Sequence, residues 1–273
     1  DEYNMFYKAV TGNWDDPLHY KHFSVEGGVQ FKAIIYLPKF IPLESLNNHK
    51  NHVIKLYVKR VLISNYCSEL IPPWFNFLNI IVDADDIPLN ISREMLQQSH
   101  IIKLIKKNLV KKCIEMFEEI MSNKEIAGKF YINYSRYIKV AINEDSTFLT
   151  RLAHLLRYKT SKSHGEYISF RDYISNMKPE QKYIYYIIGE LDQNIAFTEN
   201  LTKRGYEVIL MNEPIDEYIM QKFSIIDNIK FMCVTKDNFE LPVTKNEKNK
   251  IDQMNIEFKQ FCETVREIIG KDK

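Results

Sequence analysis

The segment from Pro88 to Gln98 holds the residues whose types and spacing most strongly suggest chemistry. Arg93 and Gln97 stand four residues apart at the predicted start of a helix, so they share one of its faces. A guanidinium and an amide beside free backbone N–H groups and the positive end of a helix dipole can bind an anion. The alternative is that Arg93 pairs with Asp85 or Asp86, and the residues alone leave both interpretations open.

Two pairs of histidines have a spacing of three residues, His19 with His22 and His49 with His52. This spacing can bring two imidazoles together on a helix. Both pairs, however, lie in predicted strand or loop, and neither has a third ligand nearby. No metal site is therefore expected at either pair.

An acidic run of Asp83, Asp85 and Asp86 follows an apolar stretch of the chain. Carboxylates grouped in this way could bind a divalent cation or act as a general base. The favoured interpretation is plainer: a solvated turn between a buried strand and a helix.

The sequence lacks a glycine-rich phosphate cradle. It has eight glycines, and neither the GxxxxGK[ST] nor the GxGxxG pattern occurs. A Gly-x-Ser-x-Gly nucleophile elbow is also missing from the sequence. A strand–helix–strand unit at about 183–234 could bind a nucleotide at its strand ends, but Gly189-Glu190-Leu191 lacks the fingerprint, so a packing role is favoured.

The composition is that of a folded protein, because the 273 residues are 45% hydrophobic and 27% charged. Lys and Arg number 37 against 36 Asp and Glu, which argues against a dedicated nucleic-acid or membrane-surface protein. The lysines in 103–112 are interpreted as the solvent face of a helix, with RNA binding as a minor alternative. The four cysteines lie far apart, which indicates reduced thiols. No apolar stretch reaches the length of a membrane span.

Hydrophobic periodicity predicts the elements that position the Pro88–Gln98 segment. Strands are expected over Val29–Leu37, over Val53–Ser64 and over the apolar run Leu78–Val82 that ends at the acidic turn. From Arg93 onward, apolar residues recur every three or four positions and predict the longest helix, with Asn90 or Ser92 as its N-cap. Shorter helices with polar breaks are expected over about 123–158.

The second half of the chain alternates between strand and helix patterns, which predicts a parallel sheet with right-handed crossovers. A polar linker at Thr160–Gly165 precedes it, and an amphipathic helix is expected over 251–269. The predicted strands are Tyr183–Ile188, Tyr206–Met211 and Ile229–Val234, and the predicted helices are about Leu191–Lys203 and Ile215–Phe223.

From its first residues to about 240, the sequence resembles the middle segment of the heat-shock protein 90 family of ATP-dependent chaperones. One matching block runs from Val82 to Gln98, and its most specific part is Leu89-Asn90-Ile91-Ser92-Arg93-Glu94. The other matching blocks are Asn13–Pro17, His22–Gly27, Ile54–Val58, Asn108–Cys113, Leu155–Tyr158 and Glu213–Tyr218.

The resemblance implies a mixed α/β fold with two α/β sandwich subdomains joined by a short helical connector. The expected division is 1–122 for the large subdomain, 123–160 for the connector, 161–245 for the small subdomain with its parallel βαβ unit, and 246–273 for a helix leading to a C-terminal domain. ATP with Mg²⁺ is expected in a separate N-terminal domain, and this chain alone is expected to bind no nucleotide and to be no enzyme. The resemblance implies that Arg93 reaches the ATP γ-phosphate in the complete protein and that Gln97 supports the same loop.

Partners are implied by the same resemblance: client proteins, an ATPase-activating co-chaperone, and the protein's own N-terminal and C-terminal domains. Trp14 and Leu62 are expected to contribute to one exposed apolar patch for clients. This chain by itself is expected to be a monomer. Neither nucleic acid nor membrane is expected as a partner.

The sequence departs from the family pattern at four positions, and these departures mark a diverged member. The expected location is the cytoplasm, with an organelle lumen as the alternative. The alternative function is a docking scaffold that has lost ATP turnover. The departures are Lys59 for arginine, Leu62 for phenylalanine, Ile80 for glycine and Asn143 for histidine.

Overall fold

The computed structural model describes residues 1–40, 53–88, 99–189 and 195–236, with a few isolated positions beyond. Its strands form two sheets. The first sheet contains β1 (His19–Val25), β2 (Phe31–Leu37), β3 (Ile54–Val58), β4 (Val61–Ser64) and β5 (Asn79–Ala84). The second contains β6 (Arg157–Thr160), β7 (Ile168–Ser169), β8 (Tyr183–Ile188), β9 (Ile209–Met211), β10 (Ile225–Ile226) and β11 (Ile229–Cys233). The helices are α1 (Glu2–Thr11), α2 (His100–Ser122), α3 (Lys124–Glu144), α4 (Leu149–Leu155), α5 (Phe170–Ser175), α6 (Ile195–Lys203) and α7 (Ile215–Lys222).

The first sheet has the strand order β1-β2-β5-β3-β4, and its neighbours are antiparallel except for the parallel pair β3 and β5. Alternate side chains of the central strands, such as Ile35, Leu56 and Val82, are fully buried on the face that belongs to the main core. Buried residues of α2, including Phe117, belong to the same core cluster. The alternation seen in the sequence therefore marks the covered face of this sheet.

Helix α1 covers part of the opposite face of this sheet. Tyr7 is buried there with Ile34 and Tyr36, and the Tyr7 and Tyr36 rings have centroids 5.1 Å apart. Burial raises the pKa of the Tyr36 phenol to about 12. The aromatic residues at the beginning of the chain thus belong to a helix that the sequence did not predict.

The second sheet has the order β10-β11-β8-β9-β6-β7, and β11, β8 and β9 run parallel to one another. The predicted parallel unit is confirmed, with α6 between β8 and β9 and α7 after β9. The fold class is confirmed as mixed α/β. The residue numbers of the domain boundaries remain a prediction.

Helices α3 and α7 are joined by a buried ion pair. Lys139 Nζ lies 2.8 Å from Asp216 Oδ1, and the two side chains are only 3% and 1% exposed. The Tyr158 hydroxyl donates to the same carboxylate oxygen at 2.8 Å, and Glu213 Oε1 lies 3.0 Å from Lys139 Nζ. Two of the sequence blocks that carried the family resemblance therefore meet at one cluster in the fold.

The predicted strand Val53–Ser64 is wrong in one respect, because it is a hairpin of β3 and β4. Lys59 and Arg60 form its turn with φ angles of 49° and 67°. This left-handed backbone disfavours ordinary side chains. Hydrogen bonds offset the cost: the Lys59 N–H donates to the Ala84 carbonyl at 3.3 Å, and the Arg60 N–H donates to Asp83 Oδ1 at 3.0 Å.

The predicted long helix does not run unbroken from Arg93, because Ser99 has an extended backbone and α2 begins at His100. Ser99 stands at the N-cap position, whereas the proposed caps Asn90 and Ser92 lie outside the described residues. Apolar periodicity marks the buried face of a helix but locates its end poorly.

The described cysteines Cys67, Cys113 and Cys233 are free and buried, as their spacing predicted. Most of the predicted tail helix falls outside the described residues. Within it, Met254 and Phe261 are exposed.

Candidate functional site

The segment that carries Arg93 and Gln97, residues 89–98, lies outside the described residues. Its two attachments to the fold are described. The chain enters it from β5 through Ile87, which is 1% exposed, and leaves it into α2, where Ile102 is buried. The segment is therefore attached at both ends to core elements.

Hydrogen bonds fix the acidic turn that leads into this segment. Asp86 Oδ2 accepts from the Gln30 N–H at 2.6 Å, and the Asp85 N–H donates to the Gln30 carbonyl at 3.2 Å. Asp83 Oδ1 accepts the Arg60 N–H described above. These carboxylates thus satisfy backbone donors of neighbouring loops, which agrees with the favoured interpretation of the run as a turn.

The segment begins at the carboxyl end of β5. Because β3 is parallel to β5, the carboxyl ends of both strands lie at the same edge of the sheet. The chain therefore enters the segment from that edge of the sheet.

The amino-terminal part of α2 carries an exposed row of basic side chains at the other attachment of the segment. Lys103, Lys107 and Lys111 are exposed and four residues apart, so they share one face. Lys106 is partly buried, and burial lowers its pKa. The lysines of this helix thus include a solvent face, as the sequence indicated.

Trp14 stands on a loop that is held at both ends. Its side chain is 95% exposed. Before it, the Asn13 amide donates to the Tyr7 hydroxyl at 2.7 Å, and after it, Asp16 forms an ion pair with Lys8 at 2.9 Å. A large apolar ring is therefore presented to solvent by a well-supported loop.

A family model described as Hsp90 protein matches residues 1–273 of this chain. The chain belongs to the Hsp90 family. It is 42% identical over 274 residues to Heat shock protein 83 of Leishmania donovani, which aligns with 99% of this chain and 61% of that protein. It is 38% identical over 277 residues to Heat shock protein 90-5, chloroplastic, of Arabidopsis thaliana, aligned over 98% of this chain and 35% of that protein.

The solved middle domain of a Plasmodium falciparum heat shock protein is similar in structure, with a TM-score of 0.75 and 33% sequence identity. The similarity covers 86% of this chain and 94% of that domain. The chain is therefore an Hsp90 middle domain. It spans less than two thirds of the length of the two curated relatives named above.

The strand order of this Hsp90 domain separates the two predicted client residues. Leu62 lies on edge strand β4 and is 43% exposed, whereas Trp14 precedes β1 at the opposite edge. Strands β1 and β4 are separated by four strand spacings, which corresponds to about 19 Å at the usual spacing. The two residues therefore belong to different edges of the sheet.

The structure also locates the other residues that were expected to depart from the family pattern. Ile80 is fully buried in β5 and pairs with Ile35 and Ile54, so its side chain belongs to the core. Lys59 is in the β3–β4 turn. Asn143 is partly buried in the last turn of α3.

The histidine pair on β1 faces in two directions, because residues three apart on a strand point to opposite sides. The Tyr3 hydroxyl and His22 Nδ1 are 2.8 Å apart, and burial lowers the pKa of His19. His49 and His52 lie outside the described residues. In the part of the chain that the structure describes, no group of three metal-ligating side chains occurs.

The described helices include none with the length and hydrophobicity of a membrane-spanning segment. Sequence reasoning missed the buried Lys139–Asp216 pair. The signal was present as a charged residue at each of two apolar helix faces, but only the fold shows that the two faces meet.

Proposed function

We propose that this middle domain completes the active site of an ATP-dependent Hsp90 chaperone by supplying Arg93 to the γ-phosphate of ATP. The nucleotide and its Mg²⁺ would be held by a separate N-terminal domain of the complete protein. The observation that carries the proposal is the position of the Arg93 segment, attached at both ends and beginning where two parallel strands end. Family membership supports the same role.

The proposed chemistry needs little more from this chain than a positioned cation. A guanidinium is planar and always charged, so it can pair with the charge that spreads over the phosphoryl oxygens as the bond to ADP breaks. Gln97 would support the loop that holds Arg93. The nucleotide pocket would come from the other domain, which fits a sequence without a glycine-rich cradle.

Steady-state ATP turnover of the complete protein tests this proposal with Arg93→Ala. The matched control is Arg136→Ala, because Arg136 is an exposed arginine on α3 that forms no ion pair with a described residue. We expect Arg93→Ala to lower turnover by on the order of 10³. The affinity for ATP, measured by calorimetry, should stay nearly unchanged, and Arg136→Ala should match wild type.

A large loss of ATP affinity with normal turnover would contradict the proposal, since it would make Arg93 a ground-state binding group. The isolated 273-residue chain offers a second check. We expect it neither to bind nor to hydrolyse ATP.

Client and co-chaperone binding forms the second part of the proposal. Trp14 supports it, because a ring that is 95% exposed on a braced loop offers apolar area to a partner at little ordering cost. Leu62 would contribute from the other edge of the sheet. We expect Trp14→Ala to weaken binding of an unfolded client by about 10-fold or more, measured by fluorescence anisotropy. If Trp14→Ala bound the client as tightly as wild type, Trp14 would not belong to the client-binding surface.

A docking scaffold without ATP turnover is the second candidate, and the exposed Trp14 also favours it. The two candidates differ in one measurement. In a scaffold, Arg93→Ala would be silent while Trp14→Ala would still weaken partner binding. In either case the complete protein would act inside the cell, in the cytoplasm or an organelle lumen, with a C-terminal domain as the site of dimerisation.

A further inference from the structure

A cleft lined by several basic side chains lies where helices α2 and α4 meet the second sheet. None of its described lining residues belongs to the Arg93 segment. The cleft has a volume of about 330 Å³. Its wall is formed by α2, α4, β6, β7 and α5. The polar residues that line it include Glu118, Arg151, His154, Arg157, Ser169 and Arg171.

The carboxylates around this cleft already have partners. Glu118 accepts two hydrogen bonds from Arg151, at 2.9 Å from Nε and 2.7 Å from Nη2. Asp172 accepts from the backbone N–H and the hydroxyl of Ser169 in a capping box, at 3.0 and 2.6 Å. Both acids therefore make their direct contacts with Arg151 or Ser169, and Asp172 acts on Arg157 only from beyond ion-pair distance.

Arg157 and Arg171 line the cleft and form no ion pair with a described carboxylate. Arg157 is partly buried, and its Nη1 donates only to backbone carbonyls, those of His154 at 2.8 Å and Leu156 at 2.9 Å. Arg171 is exposed, and no described carboxylate lies within ion-pair distance of either group. Burial lowers the pKa of Arg157, and the more distant charge of Asp172 only partly offsets this effect.

His154 adds an incompletely satisfied polar group to the same wall. Its Nε2 lies 3.3 Å from Asp227 Oδ1. Its Nδ1 is buried and has no hydrogen-bond partner in the described part of the chain. Buried polar atoms in native proteins nearly always have a partner, which can be an ordered water, so this nitrogen has capacity for one further hydrogen bond.

We propose that this cleft binds a phosphoryl group through Arg157 and Arg171. The planar guanidinium group of an arginine can bind two oxygens of one phosphate through two parallel N–H···O hydrogen bonds. A phosphate monoester carries a charge of about −1.5 to −2 at neutral pH, which corresponds to two unpaired cations. The volume of the cleft is several times the roughly 30 Å³ that one molecule occupies in liquid water. It therefore has room for a phosphoryl group and part of the molecule to which that group is attached.

Calorimetric titration of the 273-residue chain with inorganic phosphate tests the proposal at constant ionic strength, with chloride as the reference anion. We expect saturable binding to wild type. Arg171→Gln should weaken it by on the order of tenfold, because a charge-assisted bidentate contact is lost. Arg136→Gln is the matched control, because it removes the same charge from an exposed arginine outside the cleft, and it should bind phosphate like wild type.

Arg171→Lys separates charge from geometry. It keeps the positive charge but loses the planar fork, so its affinity should fall between those of wild type and Arg171→Gln. Arg171 is exposed and forms none of the buried contacts described here, so both variants should remain folded. Circular dichroism checks this directly.

A second titration with a phosphoserine peptide distinguishes the source of the phosphoryl group. Tighter binding of the peptide than of its unphosphorylated form would support a phosphorylated side chain as the ligand. Saturable binding of inorganic phosphate without a gain for the peptide would support a free anion. No saturable binding of either probe, or an equal loss in Arg171→Gln and Arg136→Gln, would overturn the proposal.

Discussion

The buried pair of Lys139 and Asp216 allows the contribution of one charge to be worked out from the structure. Asp216 has Lys139 as its one cation within ion-pair distance among the described residues. Its remaining partners are neutral donors, the Tyr158 hydroxyl at 2.8 Å and the Glu213 N–H at 3.2 Å. Lys139→Met would therefore leave a carboxylate that is 1% exposed without a counter-charge. Removing one partner of such a pair costs about 3–5 kcal/mol in the free energy of unfolding.

The opposite change should cost less, because Lys139 has a second acid. In Asp216→Asn, Lys139 would keep Glu213 at 3.0 Å, and the Glu213 side chain is 49% exposed to water. We expect this variant to lose about 1.5–3 kcal/mol, the range for a hydrogen bond to a charged group. The double variant should lose at least about 2 kcal/mol less than the sum of the two single losses, since it leaves no unpaired buried carboxylate.

Urea denaturation followed by circular dichroism measures all three values. The matched control is Lys203→Met, which removes a lysine from an exposed helical pair with Glu199 and should cost under about 0.5 kcal/mol. With a slope of about 3 kcal/mol/M, Lys139→Met should lower the urea midpoint by more than about 1 M. The reasoning fails if Lys139→Met behaves like the control, or if the two single losses simply add.

Two further predictions concern local contacts. Ser169→Ala should lower the free energy of unfolding by about 1 kcal/mol because it removes the capping box of α5. Hydrogen bonds from Ser169 hold the pKa of Asp172 below its ordinary value. Their contribution to the free energy of unfolding is therefore present above about pH 4 and is lost as the pH falls through the folded-state pKa of Asp172. A difference from wild type that stayed constant from pH 7 to pH 2.5 in urea melts would contradict this origin. Trp14→Ala should change stability by less than about 0.5 kcal/mol, because the ring is exposed, and a larger loss would show that Trp14 supports the fold.

Strong local patterns predicted the parallel strands in the second half of the chain, although the strand expected over Tyr206–Met211 begins only at Ile209. The strand Tyr183–Ile188 has the predicted bounds, and the strand predicted over Ile229–Val234 ends one residue earlier, at Cys233. Short apolar runs that alternate with amphipathic helix patterns can be recognised from neighbouring residues alone, and this alternation is typical of a parallel sheet. The mixed α/β class followed for the same reason.

Helix α1 and the β3–β4 turn were not predicted, for two different reasons. The apolar residues of α1 cover one small patch, so its stripe is short and its buried member is Tyr7. The turn lacks the usual Asn-Gly signal, because Lys59 and Arg60 hold left-handed backbone with help from Ala84 and Asp83. Contacts with β5, which comes later in the sequence, select this turn.

The sequence by itself determined the family, the order of most strands and helices along the chain, and the block that contains Arg93. Those features are local, since periodicity and short motifs are set by residues close to one another in the chain. Only the tertiary structure decided which side chains meet. It brings Lys139 to Asp216 and gathers Arg157 and Arg171 at one cleft, because packing of helices against sheets joins residues whose separation in sequence carries no signal.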